Sequence, residues 1–313
     1  MQDIKQTYYA HGKLLLTAEY FVLHGAKAIA LPLQYGQRMD VTEGRVGGIL
    51  SWKAFMQEGL WFSCDLGLPG FEILNSSDQE KATILQEIFR TIAQMKPDFR
   101  LEDALEVHTR IDFNNQWGLG SSSTLIANLA AWSGIDAYRL NELIFNGSGF
   151  DIACATANGP ILYRKDQLPE PVNLEYPFLD HLYLIYSGSK KSTRNEVRRF
   201  LNGDSIQKQE IAQMDQLTEQ IAKTGDLADF QKLIAEHEKL VSALLHIPRV
   251  KSAWFSDFEG EVKSLGAWGG DFYLVATRLE DREVLHYFKE KGLRVVFPWK
   301  ELVLNRKEPI YSE

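Results

Sequence analysis

The sequence predicts a two-domain α+β protein, and three observations carry that prediction. The first half is a series of short apolar or alternating runs separated by glycines, the pattern of a mainly antiparallel sheet. The second half mixes strands with amphipathic helices. Between them the stretch PEPVNLEYP, residues 169–177, breaks all periodicity with three prolines. The boundary is placed there, giving domains at residues 1–170 and 171–313.

Taken in order, KLLLTAEYFVL (13–23), AIALPL (28–33), RMDVTE (38–43), ILSWKAFMQ (49–57) and LWFSCDL (60–66) read as strands. Trp52, Phe55, Trp61 and Phe62 alternate as strand residues do and are expected in core or adenine-side packing. A helix then opens at Ser77 with Glu80 three residues on, a capping box, and places Ile84, Ile88 and Ile92 on one face. LEVHTRIDF (105–113) returns as a strand. Past the prolines, HLYLIYSG (181–188) is a strand, and two amphipathic helices follow. The first carries Ile211, Met214, Leu217 and Ile221, and the second Leu227, Phe230, Leu233, Ile234, Leu240 and Leu244. FYLVATR, REVLHYFKEKG and LRVVFPW then give strand, helix and strand.

With 45% hydrophobic residues in a chain of 313, a sizeable core is available to both domains. Thirty-four basic against 42 acidic residues, a net charge of -8, argue against a nucleic-acid surface and against a polybasic membrane patch. The two cysteines, Cys64 and Cys154, are too few and too far apart for a disulfide framework or a zinc cluster, and are expected as buried thiols in a reducing compartment. The segment MQDIKQTYYAHGK has no apolar leader, so a cytoplasmic protein is expected. The histidines at 24, 108, 181, 237, 246 and 286 show no metal-ligand spacing and are expected to be structural or exposed.

The chemistry concentrates in NQWGLGSSST, where a strand ends near Phe113 and a helix begins near Ser121. Gly118 and Gly120 allow the backbone a close approach to a ligand, and the amides of the first helical turn carry the partial positive charge of the dipole. Phosphate suits that place. The hydroxyls of Ser121, Ser122 and Ser123 add donors, and one of them could ligate a phosphate-bound magnesium. A ligand-free glycine loop with a serine cap reads the same way, so the loop alone leaves both readings open. The segment is neither GxxxxGK[ST] nor GxGxxG, and no serine in the chain satisfies the nucleophile-elbow pattern.

Three further stretches bear on the choice. HGKLLLTAEYFVLHG (11–25) places Lys13 beside a glycine at the start of a strand, NGSGFDIACA (146–155) places Asp151 after a glycine turn, and KSLGAWGGDF (263–272) is a second glycine-rich loop, expected to join a helix to a strand. Taken one at a time, each has an ordinary explanation: a solvated lysine, a helix cap, a tight connection. Together with GLGSSS, the set resembles the three motifs of the GHMP small-molecule kinases (galactokinase, homoserine kinase, mevalonate kinase and phosphomevalonate kinase), in order and in rough spacing, over residues 8–275. AEYFVL, GSGFD and SGSKKSTR most resemble the mevalonate and phosphomevalonate kinases, and GSGFDIACA resembles a bacterial subgroup with a GYDIA signature, Phe150 replacing its tyrosine.

The resemblance implies an N-terminal domain of the ribosomal protein S5 domain 2 type and a C-terminal ferredoxin-like domain, with ATP and Mg2+ as cofactors. Asp151 would take or orient the acceptor's proton, and Lys13 would hold that carboxylate and the transferring phosphoryl group. Gly118, Leu119, Gly120, Ser121, Ser122 and Ser123 would wrap the ATP phosphates, with Ser122 and Glu142 facing magnesium. Gly266, Ala267, Gly269 and Gly270 would close the far side. Glu19, Tyr20, Gly149, Ser192, Thr193 and Arg194 would meet the acceptor. The chain departs from the family pattern at His11, Ala18 and Trp268, where proline, glycine and glycine are usual, and no proline stands near Asn114. Lys190, Lys191, Arg194, Arg198 and Arg199 form a basic cluster able to hold a carboxylate or phosphate. The expected activity is phosphorylation of a small acidic metabolite, mevalonate or phosphomevalonate, with a homodimer as the assembly allowed for. Diphosphomevalonate decarboxylase, a homoserine or sugar kinase, and a non-catalytic ligand sensor stand as alternatives.

Overall fold

The structure is a computed structural model that describes residues 4–188, 206–266 and 270–305. Its contacts divide the chain into two compact units. One comprises Met1–Gly12, Tyr35–Asn115 and Leu119–Thr156, and the other Lys13–Gln34, Gln116–Gly118 and Ala157–Glu313.

In the first unit the strand order is β5 (Glu72–Ser76), β4 (Gly59–Gly67), β3 (Ile49–Met56), β6 (Leu105–Ile111) and the latter part of β2 (Ala28–Glu43), onto which β1 (Ile4–Leu15) also pairs. The β3–β6 pair is parallel, while β3–β4, β4–β5 and β2–β6 are antiparallel. Alternation decides which face is covered: Leu50, Trp52 and Ala54 of β3 are buried, while Ser51, Lys53 and Phe55 are not. Helix α1 (Gln79–Met95) buries Ala82, Leu85, Ile88, Phe89 and Ile92, a stripe at helical spacing. Phe89 is the hub of that core: Phe71 stacks on it at 5.3 Å, and Trp52 and Trp132 meet it edge-on at 6.0 and 6.1 Å. Helices α2 (Ser121–Ser133), α3 (Ala137–Phe145) and α4 (Phe150–Ala155) complete the unit.

The second unit holds a four-stranded antiparallel sheet in the order β10 (Glu261–Leu265), β11 (Phe272–Ala276), β9 (Leu182–Tyr186) and β12 (Val296–Pro298). Every residue of β11 and the first four of β9 are buried, which is why both read as continuous apolar runs. Also in this unit, β7 (Ile161–Tyr163) pairs with Ala28–Ala30 of β2 and with β8 (Glu170–Pro171). Its helices are α5 (Lys208–Lys223), α6 (Leu227–Leu245), α7 (Val250–Trp254), α8 (Asp281–Glu290) and α9 (Trp299–Leu302). Among the described residues no helix is long and apolar enough to cross a membrane.

Four local expectations change. The run 13–23 is not one strand: β1 ends at Leu15, Ala18 and Tyr20 take left-handed φ of 63° and 66°, and a 3-10 turn covers Phe21–His24. Residues 28–43 form one strand rather than two. The cap of α1 is Asp78, whose carboxylate accepts the Lys81 amide at 3.1 Å, while Ser77 Oγ accepts the Ser63 amide. The second glycine-rich segment joins strand to strand, not helix to strand.

Candidate functional site

After β6 the chain makes a 3-10 turn over Asn115–Trp117, passes Gly118 at φ 69°, the buried Leu119 and Gly120 at φ 97°, and enters α2. The N-cap of α2 is Gly120, which has no side chain to offer, so the cap supplies no side-chain acceptor for the amides that the first turn of a helix leaves without intrahelical partners. The three serines differ. Ser123 is buried and its hydroxyl donates to the Gly120 carbonyl at 2.9 Å, whereas Ser121 is half-buried and Ser122 exposed. Further along α2, Thr124 Oγ1 lies 2.8 Å from Gln37 Oε1 and Asn128 Nδ2 donates to the Gln37 carbonyl at 2.9 Å, which fixes the helix on β2.

Residues Gln116–Gly118 belong to the second unit and are held by other residues of that unit. Lys13 Nζ donates to the Gly118 carbonyl at 2.9 Å, and Tyr186 Oη donates to the Gln116 carbonyl at 3.2 Å. Trp117 meets Phe297 edge-on at 5.3 Å and Tyr186 at 6.2 Å. Asp271, 7% exposed, lies directly against Gly118: a β-carbon at position 118 would fall 2.0 Å from Asp271 Oδ2. Glycine there is therefore demanded by a neighbour as well as by φ.

Asp151 stands in the first turn of α4, which Gly149 introduces at φ 91°, and Asp151 Oδ1 accepts the Ile152 amide at 3.1 Å. Helix α4 packs on α2, and Ala10 of β1, Ala127 of α2 and Ala155 of α4 form one buried contact. The strand that continues to Lys13 thus touches both the helix that follows the glycine loop and the helix that carries Asp151. Glu142 lies on the exposed side of α3, where it pairs with Arg139. Among the described residues no three His, Cys, Asp or Glu side chains gather as a metal site. The exposed Ser122 hydroxyl would offer a magnesium one protein oxygen, which suits an ion whose other ligands come from phosphates and water.

Glu19 is 3% exposed, and its carboxylate is taken by Lys263, itself 1% exposed. Lys263 Nζ also donates to the Ser264 carbonyl at 2.8 Å, and the Ser264 amide donates to Glu238 Oε1 at 3.0 Å. His237 Nε2 accepts the Ala18 amide at 2.8 Å, so the ring is neutral and protonated at Nδ1. Its 3.3 Å approach to Glu19 is then proximity, not an ion pair. Burial, aided by Lys263, pushes the His237 pKa down, and burial pushes the Glu19 carboxyl up against the pull of Lys263. Tyr20 is buried.

Gly266 takes φ 82° and ends β10, and Gly270 is buried with φ 32°. A β-carbon at Gly270 would fall 2.6 Å from the Leu265 carbonyl oxygen and 2.8 Å from Ser264 Oγ. Ala267, Trp268 and Gly269 lie outside the described residues, as do Lys190, Lys191, Ser192, Thr193, Arg194, Arg198 and Arg199.

Sequence reasoning quoted Lys263 and Asp271 within the second glycine-rich stretch without giving either a role, and missed His237 and Glu238 as parts of this region. A signal for the last two was present. Phe230, Ile234 and Val241 set the buried stripe of α6, and that period carries His237 and Glu238 inward with them.

No family model matches the sequence, and no curated protein does. Solved structures do match. The chain is similar to the Methanococcus jannaschii mevalonate kinase at 15% identity and a TM-score of 0.70, over 93% of this chain and 96% of that one. It is similar to the Streptococcus pneumoniae phosphomevalonate kinase solved with phosphomevalonate and AMPPNP, at 14% identity and a TM-score of 0.68, over 93% and 99%. The Lactococcus lactis galactokinase solved with galactose matches at 12% identity and a TM-score of 0.65, over 97% and 95%. Mixed α+β architecture and near-complete overlap agree: this chain has the fold of the GHMP kinases.

Proposed function

We propose that this chain is an ATP- and magnesium-dependent kinase for a small acidic metabolite, with mevalonate or phosphomevalonate as the acceptor. The observation that carries the reading is the uncapped start of α2, with the Lys13 ammonium fixed on the Gly118 carbonyl at its entrance. Main-chain amides and a cation at one loop are what a polyphosphate needs. Mevalonate and phosphomevalonate kinases among the similar structures support the acceptor class, and the AMPPNP bound to one of them supports the nucleotide.

In this reading the acceptor oxygen attacks the γ-phosphorus, the bond to the β-phosphate oxygen breaks, and ADP leaves. Asp151 aligns the acceptor and takes a hydroxyl proton where there is one. Lys13 offsets the charge on the transferring group, and the amides of residues 119–123 hold the phosphates in line. Magnesium, when bound, adds charge neutralisation on the phosphates. Positioning and charge do most of the work in such transfers.

The test is incubation of the purified protein with MgATP and a panel of mevalonate, its mono- and diphosphate, homoserine and sugars, following ADP and carbon dioxide. ADP formed with mevalonate or phosphomevalonate bears the proposal out, and carbon dioxide from the diphosphate would replace it with a decarboxylase. Asp151→Asn should lower turnover by about 10²- to 10⁴-fold with little change in nucleotide affinity. Undiminished turnover would remove Asp151 from the mechanism.

A further inference from the structure

Lys263 is among the largest fully buried side chains of the protein, and its two contacts lead to different motif segments. One is the Glu19 carboxylate in the turn that follows β1. The other is the Ser264 carbonyl, at 2.8 Å, beside the start of the second glycine-rich segment. Each segment is held again by a second buried group. His237 binds the Ala18 amide at 2.8 Å, and Glu238 binds the Ser264 amide at 3.0 Å. Gly270, where the chain returns to β11, packs so closely over Ser264 that no side chain would fit.

The turn is strained, since Ala18 and Tyr20 both hold left-handed φ without being glycine. Such conformations persist where surrounding structure over-determines them, and they gather at functional sites. Here the Thr17 hydroxyl adds two more buried contacts, 2.8 Å from the Ile29 amide and 3.0 Å from Thr218 Oγ1. The charge set is also poorly compensated, because Glu19 Oε2, Glu238 Oε2, His237 Nδ1 and Ser264 Oγ have no hydrogen-bond partner among the described residues. A purely stabilising core would place apolar side chains there.

We infer that Lys263 is a positioning residue: one buried ammonium fixes the turn at residues 17–20 and the segment Ser264–Gly266 relative to each other, with Glu19 as its counter-ion and not as a contact to the acceptor. This rests on the kinase reading above, in which both segments border the reacting groups. Displacement of either by a fraction of an ångström to an ångström would misalign phosphate and acceptor without removing any group that touches them.

The experiment compares wild type, Lys263→Met, Glu19→Gln and the double variant as full chains. The readouts are thermal midpoint, calorimetric MgADP binding, and steady-state kinetics with the acceptor that wild type uses. Lys263→Met leaves the Glu19 carboxylate buried without its partner and should lower the midpoint by about 10 °C. The double variant removes both charges and should regain most of that loss. Its kcat should nevertheless stay about 10- to 100-fold down, with MgADP affinity about tenfold weaker. Recovery of activity along with stability would overturn the inference, since Lys263 would then only balance charge. A Glu19→Gln effect confined to the acceptor KM would overturn it too, by making Glu19 an acceptor contact. If Lys263→Met does not fold, Glu19→Gln and the double variant give the same comparison. Wild type that binds no MgADP would defeat the kinase reading and this inference together, and would show before any substitution is made.

Discussion

The first unit is built around Phe89, where rings from a strand, a loop and two helices meet with no ionisable group among them. The second holds an ammonium, two carboxyls and an imidazole, all at least 97% buried, around Lys263. The first interior is maintained by apolar area and shape, which are indifferent to pH. The second is maintained by partners that must each be present, so it is costly to break and sensitive to protons. One interior supports the sheet and the helix that follows the glycine loop, and the other fixes the geometry of short strained segments.

The largest expected effect tests the apolar side. Phe89→Ala should cost about 3–5 kcal/mol, read by urea unfolding, and the loss should be the same at pH 5.5 and pH 8. A loss that varied with pH would erase the contrast. Next comes Glu238, whose carboxyl is raised from its ordinary value near 4.5 to about 7 by burial, against the attraction of Lys263. Between those two values the folded protein keeps a proton that the unfolded chain has released, so wild-type stability falls as pH rises from about 4.5 to 7 and the loss is complete above that. Glu238→Gln should flatten this profile and be the more stable protein at pH 8, by on the order of 3 kcal/mol. Equal profiles for the two proteins would remove proton sensitivity from the second interior. The smallest effect concerns the strained turn. Ala18→Gly relieves a left-handed alanine while it frees the unfolded chain and loses one buried methyl, so its stability should lie within about 1 kcal/mol of wild type. A larger loss would mean that the conformation of Ala18 is not strained.

The contrast also accounts for what could be read in the sequence. Helix α1 was legible because apolar side chains at helical spacing announce a buried stripe, and Ile88 and Ile92 lie in it as expected. Its cap was missed by one residue, since Ser77 and Asp78 are both able caps and a pairing of Ser77 with the distant Ser63 settles the choice. Gly118 and Gly120 were legible as backbone that must turn sharply before a helix. The break after Leu15 was not. Neither Ala18 nor Tyr20 is a turn residue by composition, and the partner that holds the Ala18 amide is His237, more than 200 positions away. Lys263 was hidden for the same reason, because its burial depends on a carboxylate in the first twenty residues and no local pattern reports it. Likewise, nothing near Gly118 announces that Asp271 occupies the space beside it.

That last contact sets an order on how this chain can change over generations. Any larger residue at 118 would collide with the carboxylate at 271, so a smaller residue at 271 is a precondition for change at 118 and, with φ at 69°, not a sufficient one. Lineages that kept the acid would hold glycine at 118 on two counts, the contact and the left-handed φ of 69°, and those that shrank 271 would keep the second. In an alignment of descendants any departure from glycine at 118 should come with a smaller residue at 271, although about half of the chain separates them.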